Sequence, residues 1–376
     1  MITTVLFDLD GTLIDTETLV NGVASQVVSK YGKSLPHSVQ QAALGKRPLE
    51  AWKIVADQLE IPKTAEELFE ESEPLLVDRW QHCKTLPGAV RLVDHLFNSG
   101  VKLGIVTSSL ASTFERKLCL KKALASKFGA VITGDCVEAG KPSPEGLLAA
   151  AKQLGSEPEE CLVIEDAPVG FKAAVAAGMR VVAVPSLAGL PQESLEGCTK
   201  VLASLLDFHP DEFGLPPFGD VVHGVVPLQP VWKIKGPVVR GFGRGSATLG
   251  IPTANLPPES LMNELSGAVS GIYCGFASVG SSAEVHKMVM SIGWNPFFNN
   301  KDRTAEPWIL HEFAEPFYGE ELRLVVCGYI RPEANFTTLE ALIARIHEDA
   351  RITREALSVP ELDELSKSEF LKPVDN

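Results

Sequence analysis

Val5-Leu6-Phe7-Asp8-Leu9-Asp10-Gly11-Thr12 is a short apolar run that ends on two carboxylates two residues apart and then turns at a glycine. Such a run reads as a strand. Further runs follow at 102–107, 130–133, 161–165 and 181–184, with helical stretches between them. In one of these, 88–98, Val90, Val93, Leu96 and Phe97 recur at helical spacing before Gly100. Strand–helix alternation at this spacing predicts an α/β, Rossmann-like parallel sheet over residues 1–207. Residues 16–85 carry only helical periodicity and predict an all-helical cap inserted after the first strand.

The chemistry gathers at the strand ends. Two carboxylates about 4 Å apart repel by roughly 1 kcal/mol in water and by about 4 kcal/mol at a protein surface. A fold keeps Asp8 beside Asp10 when a cation offsets them, and a hard, oxygen-liganded ion such as Mg²⁺ is suited to that. Aspartate is also a nucleophile already ionised at neutral pH. Later strand ends bring complementary groups, where α/β sheets place their ligands. Thr107 and Ser108 offer hydroxyl and amide donors to a phosphoryl oxygen, and Lys141, in Gly140-Lys141-Pro142-Ser143-Pro144-Glu145, offers a fixed positive charge. Glu165 and Asp166 add carboxylates for a metal, and Gly170 lets the next helix start close to them.

These four elements, in this order over residues 1–205, resemble the haloacid dehalogenase superfamily of phosphatases. The resemblance implies Asp8 as nucleophile and Asp10 as general acid and then base. It implies Thr107 or Ser108 and Lys141 on the phosphoryl group, and Mg²⁺ on Asp8, the Asp10 backbone and Asp166. It also makes the insertion at 16–85 a substrate-selecting cap, with Gly45-Lys46-Arg47-Pro48-Leu49-Glu50 as its substrate-facing loop. Lys46 and Arg47 read equally well as solvated helix-end charges, and His82 and His95 as surface or packing residues.

Residues 208–230 hold Pro210, Gly214, Pro216, Pro217, Gly219, Pro227 and Pro230 and read as a semi-stiff linker. Beyond it, over 231–376, short strands rich in Val, Ile, Tyr and Phe are expected at 237–240, 271–278, 286–292, 308–313 and 322–329. That texture predicts an antiparallel β-barrel or sandwich followed by one long helix, opened by a capping box of Thr337 and Glu340, with Leu339, Leu342, Ile343 and Ile346 on one face. A glycine-rich stretch, Gly236 to Ser246, places Gly241, Gly243, Arg244, Gly245 and Ser246 where a backbone can approach a polyphosphate. It lacks the spacing of a Walker-type loop. Gly250-Ile251-Pro252-Thr253-Ala254-Asn255 then sets a hydroxyl and a carboxamide two residues apart, able to face one Mg²⁺–phosphate complex.

This second half resembles riboflavin kinase over 231–357, through Pro252-Thr253-Ala254-Asn255, Ser291-Ile292-Gly293-Trp294-Asn295-Pro296, Glu306 before Pro307-Trp308, Phe317-Tyr318-Gly319-Glu320, and Gly328-Tyr329-Ile330-Arg331-Pro332-Glu333. The resemblance implies ATP at the glycine stretch, metal at Thr253 and Asn255, and Glu306 as the base that takes the proton of the ribityl hydroxyl. A primary hydroxyl is too weak an acid to ionise unaided at neutral pH. Glu312, Glu315, Glu320 and Glu321 lie nearby, and the position before Pro-Trp separates Glu306 from them. His311 reads as an interior strand residue, and Arg345 and His347 as a solvated helix face.

In this order the two halves resemble the bifunctional plant-type riboflavin kinase/FMN phosphatases. The implied small molecules are riboflavin, FMN and ATP. Two rivals keep the kinase but make the first half a phosphatase for another ester, such as a sugar phosphate, or a non-catalytic flavin-sensing module. An intact Asp8–Asp10 pair argues against the latter.

Composition bounds the setting. The 376 residues exceed one ordinary core. A net charge of −14 argues against non-specific nucleic-acid binding. No apolar run reaches the roughly 18 residues of a membrane span, and no leader is visible at the N-terminus. Seven scattered cysteines with no C-x-x-C pair fit a reducing cytosol, hence a cytoplasmic expectation.

Overall fold

A computed structural model describes residues 1–186, 190–240, 251–257, 260–261, 268–294 and 303–373. The chain divides into two units, Met1–Phe218 and Gly219–Asn376.

The first unit is built on six parallel strands, β1 (Thr4–Phe7), β2 (Lys102–Val106), β3 (Ala130–Ile132), β4 (Cys161–Glu165), β5 (Arg180–Ala183) and β6 (Lys200–Val201), in the order β3-β2-β1-β4-β5-β6. Every residue of β1 is buried, as expected of a parallel strand covered on both faces. One face packs on Leu92, Val93 and Leu96, the other on Leu147, Ala150, Phe171 and Ala174. Four cap helices, α1 (Glu17–Ser29), α2 (His37–Ala43), α3 (Pro48–Leu59) and α4 (Ala65–Leu76), follow β1 directly. They close on their own core of Val27, Val55, Leu68 and Trp80. The sheet is flanked by α5 (Ala89–Asn98), α6 (Ala111–Leu118), α7 (Lys122–Ala125), α8 (Glu145–Gln153) and α9 (Pro168–Ala176).

The buried stripe of α5 is Ala89, Leu92, Val93 and Leu96, whereas Val90 and Phe97 are 41% and 46% exposed. The phase expected from Val90 and Phe97 was therefore shifted by one position. Residues 208–218, expected as linker, belong to the first unit: Phe208, Phe213 and Leu215 join its core, and His95 Nε2 meets the carbonyl of Pro216 at 2.7 Å.

The second unit is a five-stranded antiparallel sheet, β7 (Val226–Pro237), β8 (Gly271–Val279), β9 (His286–Trp294), β10 (Arg303–Ile309) and β11 (Glu321–Pro332), in the order β10-β9-β8-β11-β7. Where strands were expected at 237–240 and 308–313, the ladders instead run over 226–237 and 303–309. Both are edge strands, which tolerate Pro307 as well as Pro227 and Pro230, the two prolines that read as part of a linker. The segment around Ala254 joins these edges. Val239 donates its N–H to the carbonyl of Asn255 at 2.9 Å, and Ala254 donates to that of Pro307 at 2.8 Å.

Helix α10 (Leu339–Ala356) packs against the sheet. Its cap is Thr338, whose hydroxyl accepts from Ala341 N at 3.2 Å, and not Thr337. Its buried residues are Asp349, Ala350, Thr353 and Ala356, while Leu339 is exposed. No helix among the described residues is long and apolar enough to cross a membrane.

Candidate active sites

Because β1 lies between β2 and β4, its C-terminal end meets theirs at the point where strand order reverses, and Asp8 N–H bonds to Ile164 O at 2.9 Å. Asp8, Lys141, Glu165 and Asp166 thereby converge, each less than one-tenth exposed. Lys141 Nζ lies 2.5 Å from Asp8 Oδ1 and 2.6 Å from Glu165 Oε2. The other Glu165 oxygen accepts from the amides of Asp166 and Ala167, both at 3.1 Å. Asp166 Oδ2 accepts from Ser186 Oγ at 2.5 Å.

Glycines make room for these carboxylates. A Cβ at Gly11, whose φ is +81°, would collide with Asp166, and one at Gly170 with the Glu165 carboxylate.

The charges fit a divalent cation. Ligating oxygens of Asp8, Glu165 and Asp166 lie within 4.8 Å of one another, and one lysine, paired with Asp8 and Glu165, is set against these three carboxylates. Fully ionised, the group keeps two negative charges uncompensated. Burial, then repulsion from Glu165, pushes Asp8 well above the usual carboxylate range, and the same two causes push up Asp166. Burial alone would lower Lys141, but Asp8 and Glu165 outweigh it and raise it. A hard cation on the all-oxygen donor set relieves this repulsion. Glu165 already spends both oxygens on Lys141 and the backbone, so Asp8 and Asp166 are the better-placed metal ligands.

Asp10 is held separately. Lys117 Nζ lies 2.5 Å from its Oδ1, while Ser109 and Thr107 donate to its Oδ2 at 2.8 and 3.2 Å. Burial would raise Asp10, but Lys117 and Ser109 overcome it and hold the carboxyl below its ordinary value. Lys117 is 3% exposed and sits 4.4 Å over the Trp80 ring.

The cap attaches through its 45–50 loop. Ser108 Oγ donates to Gly45 O at 2.9 Å, and Arg47 donates to the carbonyls of Val137 and Glu138 at 2.8 and 3.2 Å. Arg47 is thus a tie between the cap and the loop that joins β3 to α8, and not a solvated charge, and Lys46 lines the cavity beneath. That cavity, of 170 Å³, opens from Asp8 and Asp10 into the cap. Its wall is chiefly apolar, with Val20, Val39, Trp52, Val55, Phe69 and Trp80, and Glu17, Asn21 and Gln40 supply polar groups.

In the second unit, the bond from Ala254 N to Pro307 O sets the Thr253–Asn255 segment beside Glu306. Burial alternates: Ala254, Ala305, Pro307 and Ile309 are buried, and Thr253, Asn255, Glu306 and Trp308 are half-buried. Thr253, Asn255 and Glu306 therefore share a face. Trp308, on that face too, meets His347 of α10 edge-on at 5.9 Å. Arg331 and Arg345 both bind Asp349, at 2.7 and 3.0 Å, so Arg345 is pinned. Gly241, Gly243, Arg244, Gly245 and Ser246 lie outside the described residues, as do Asn295 and Pro296.

A haloacid dehalogenase-like hydrolase family model matches residues 5–184, and a riboflavin kinase model matches 228–357. The bifunctional riboflavin kinase/FMN phosphatase of Arabidopsis thaliana is 46% identical over 358 residues, which cover 95% of this chain and 93% of that protein. The chain belongs to the bifunctional riboflavin kinase/FMN phosphatase family. Human riboflavin kinase is 49% identical over 37% of this chain and 88% of its own. The mitochondrial (DL)-glycerol-3-phosphatase 1 of Arabidopsis thaliana is 37% identical over 58% of this chain and 76% of its own.

Within this family frame, the sequence reading missed Lys117, Ser109 and Glu17 in the first site, and Asp349 as the partner of Arg331 and Arg345 in the second unit. Lys117 left one trace. It follows Phe114 by three residues and precedes Leu118, which puts a lysine on the apolar stripe of α6.

Proposed function

We propose that the second unit phosphorylates riboflavin with ATP to give FMN, and that the first hydrolyses FMN to riboflavin and phosphate. The observation that supports the second activity is the apolar cavity opening from Asp8 and Asp10. A flavin ring offers an extended apolar surface to Trp52 and Trp80, whereas a sugar or glycerol phosphate would leave that wall without a partner.

In the phosphatase reading, Asp8 attacks phosphorus, and the phosphoryl group passes to its carboxylate. Asp10, after it leaves Lys117 and Ser109 and takes up a proton from solvent, protonates the leaving ribityl oxygen and then takes a proton from the water that releases phosphate. Thr107, Ser108 and Lys141 hold the phosphoryl oxygens. Lys117 and Ser109 position Asp10, which must leave them to reach the leaving oxygen. Asp8, Asp166 and the Asp10 backbone would hold Mg²⁺, with Glu165 chiefly orienting Lys141. The ion supplies charge neutralisation on the phosphoryl oxygens.

In the kinase reading, Glu306 takes the proton of the ribityl hydroxyl. Thr253 and Asn255 hold the Mg²⁺–ATP phosphates, and the 241–246 stretch cradles them. Positioning and neutralisation dominate such a transfer. Seven free cysteines support a reducing compartment such as the cytoplasm.

The test is phosphate release from FMN beside sugar and glycerol phosphates, by the parent chain and by Asp8→Asn. The proposal expects FMN to be preferred, Asp8→Asn to lose hydrolysis and phosphoenzyme trapping, and riboflavin phosphorylation to persist. Preference for a polyol phosphate would refute the flavin assignment of the first unit.

A further inference from the structure

Among the described residues, two groups of His, Cys, Asp or Glu side chains bring ligating atoms within 4.8 Å of one another. One is the Asp8 site. The other is Glu284, His286 and His311, in the second unit. We propose that Glu284, His286 and His311 form a site for a divalent transition metal of the zinc class.

The β9–β10 ladder builds it. Ile309 pairs with Met288, and Leu310 N–H bonds to Lys287 O at 2.9 Å, which brings His311 opposite His286. The two imidazoles stack with centroids 4.1 Å apart and planes 22° from parallel, so one ring must turn about its Cβ–Cγ bond for both in-plane lone pairs to meet one ion. Glu284, two residues before His286, returns to the same side and sets Oε2 3.7 Å from His286 Nε2. His311 was expected inside a strand; it lies beyond the end of β10 and is exposed, where an ion can reach it.

The donor set selects the ion. Two imidazole nitrogens and one carboxylate suit zinc, copper or nickel, and not magnesium or calcium. Three protein ligands leave a position for water. Phe313 stands edge-on to both rings, at 5.7 and 4.9 Å, and fences one side of the site.

The site is separate from the kinase face. His286 follows the side of β9 that carries buried Met288, Met290 and Ile292, whereas Glu306 lies on the other face of the ribbon. A bound ion would clip together two strand ends where the ladder stops.

The test uses the full chain, stripped by a chelator and kept in excess Mg²⁺ to occupy oxygen sites. It is titrated with Co²⁺, followed by visible absorption, and with Zn²⁺ against a chromogenic chelator. One tight equivalent is expected, with the strong visible bands of a low-coordinate nitrogen–oxygen site and without the near-ultraviolet band of a cysteine ligand.

Losing an outer-sphere partner alone weakens metal binding about 10–100-fold, so His311→Ala and His286→Gln should weaken it at least that much. Asp8→Asn should leave this equivalent in place. Glu284→Gln, at an exposed position, gives a second variant that does not disturb the ladder, and should also weaken binding. Parent-like spectra and affinity in His311→Ala and Glu284→Gln, or no low-coordinate spectrum in the parent, would overturn the assignment.

Discussion

Lys117→Met is the most informative single change in the first unit. The lysine is 4% exposed at its side chain and Asp10 is 22% exposed, so this pair lies between a surface bridge and a fully buried one. Exposed pairs contribute about 0–1 kcal/mol, whereas removing one partner of a buried pair costs about 3–5 kcal/mol because the other charge is stranded. Asp10 would retain Ser109 at 2.8 Å and Thr107 at 3.2 Å, which reduces the penalty. Methionine keeps the apolar stem against Trp80, so most of the packing survives.

The loss therefore sits at the lower end of the buried range, about 3 kcal/mol. In a unit of 218 residues, each kcal/mol moves Tm by about 2–4 °C, so a fall of about 6–12 °C is expected. Calorimetry of the full chain reads this, the phosphatase transition being marked by its response to Mg²⁺ and orthophosphate. The same substitution in an Asp10→Asn background should cost at least about 1.5 kcal/mol less, since no carboxylate is then stranded. A Tm fall below about 2 °C, or costs that simply add, would refute the pairing argument.

Other outcomes follow from the same geometry. Glu306→Gln should lower kcat for riboflavin phosphorylation by at least about a hundredfold with unfolding temperature and FMN hydrolysis unchanged; full activity here and none in Glu312→Gln would move the base to Glu312. Burial, with help from the Asp10 charge, pushes the Glu17 carboxyl from 4.5 up to about 7. The folded chain then holds a proton that the unfolded chain releases, so stability falls as pH rises between those values and levels off above them. Glu17→Gln should flatten that slope in calorimetric scans, and equal slopes would exclude Glu17 as its source. Fragments cut at Phe218/Gly219 should each keep one activity, and loss of both with the whole chain active would show that the units depend on each other.

The first unit was largely legible because parallel strands buried on both faces appear as unbroken apolar runs, and their ends carry the chemistry. Asp8, Glu165 and Asp166 could be placed from strand ends alone, whereas Lys141 lies in the loop between β3 and α8 and was marked by its Gly-Lys-Pro setting. Lys117 could not, because a buried lysine is recognised only by its partner, and Asp10 lies 107 residues away in sequence. The second unit was legible in its inner strands and misread at its edges. Prolines that forbid a central strand are harmless on an edge strand, where the position without an N–H can face away from the ladder. That same property hid β7 inside an apparent linker and moved β10 by several residues. The phase error in α5 arose because a valine and a phenylalanine on the solvent side mimic a core stripe.

The Ser108 hydroxyl carries a single proton, and in this structure the cap has it, through Gly45 O at 2.9 Å. If that hydroxyl, rather than the Ser108 amide, also serves the phosphoryl group, the two uses exclude each other. Arrival of a phosphoryl oxygen would then loosen one tie of the cap loop and leave Arg47 to hold it. Inorganic phosphate would do the same after the flavin departs. The strength with which this cap closes would become a property of the bound anion, and product phosphate would ease the opening that lets the next substrate in.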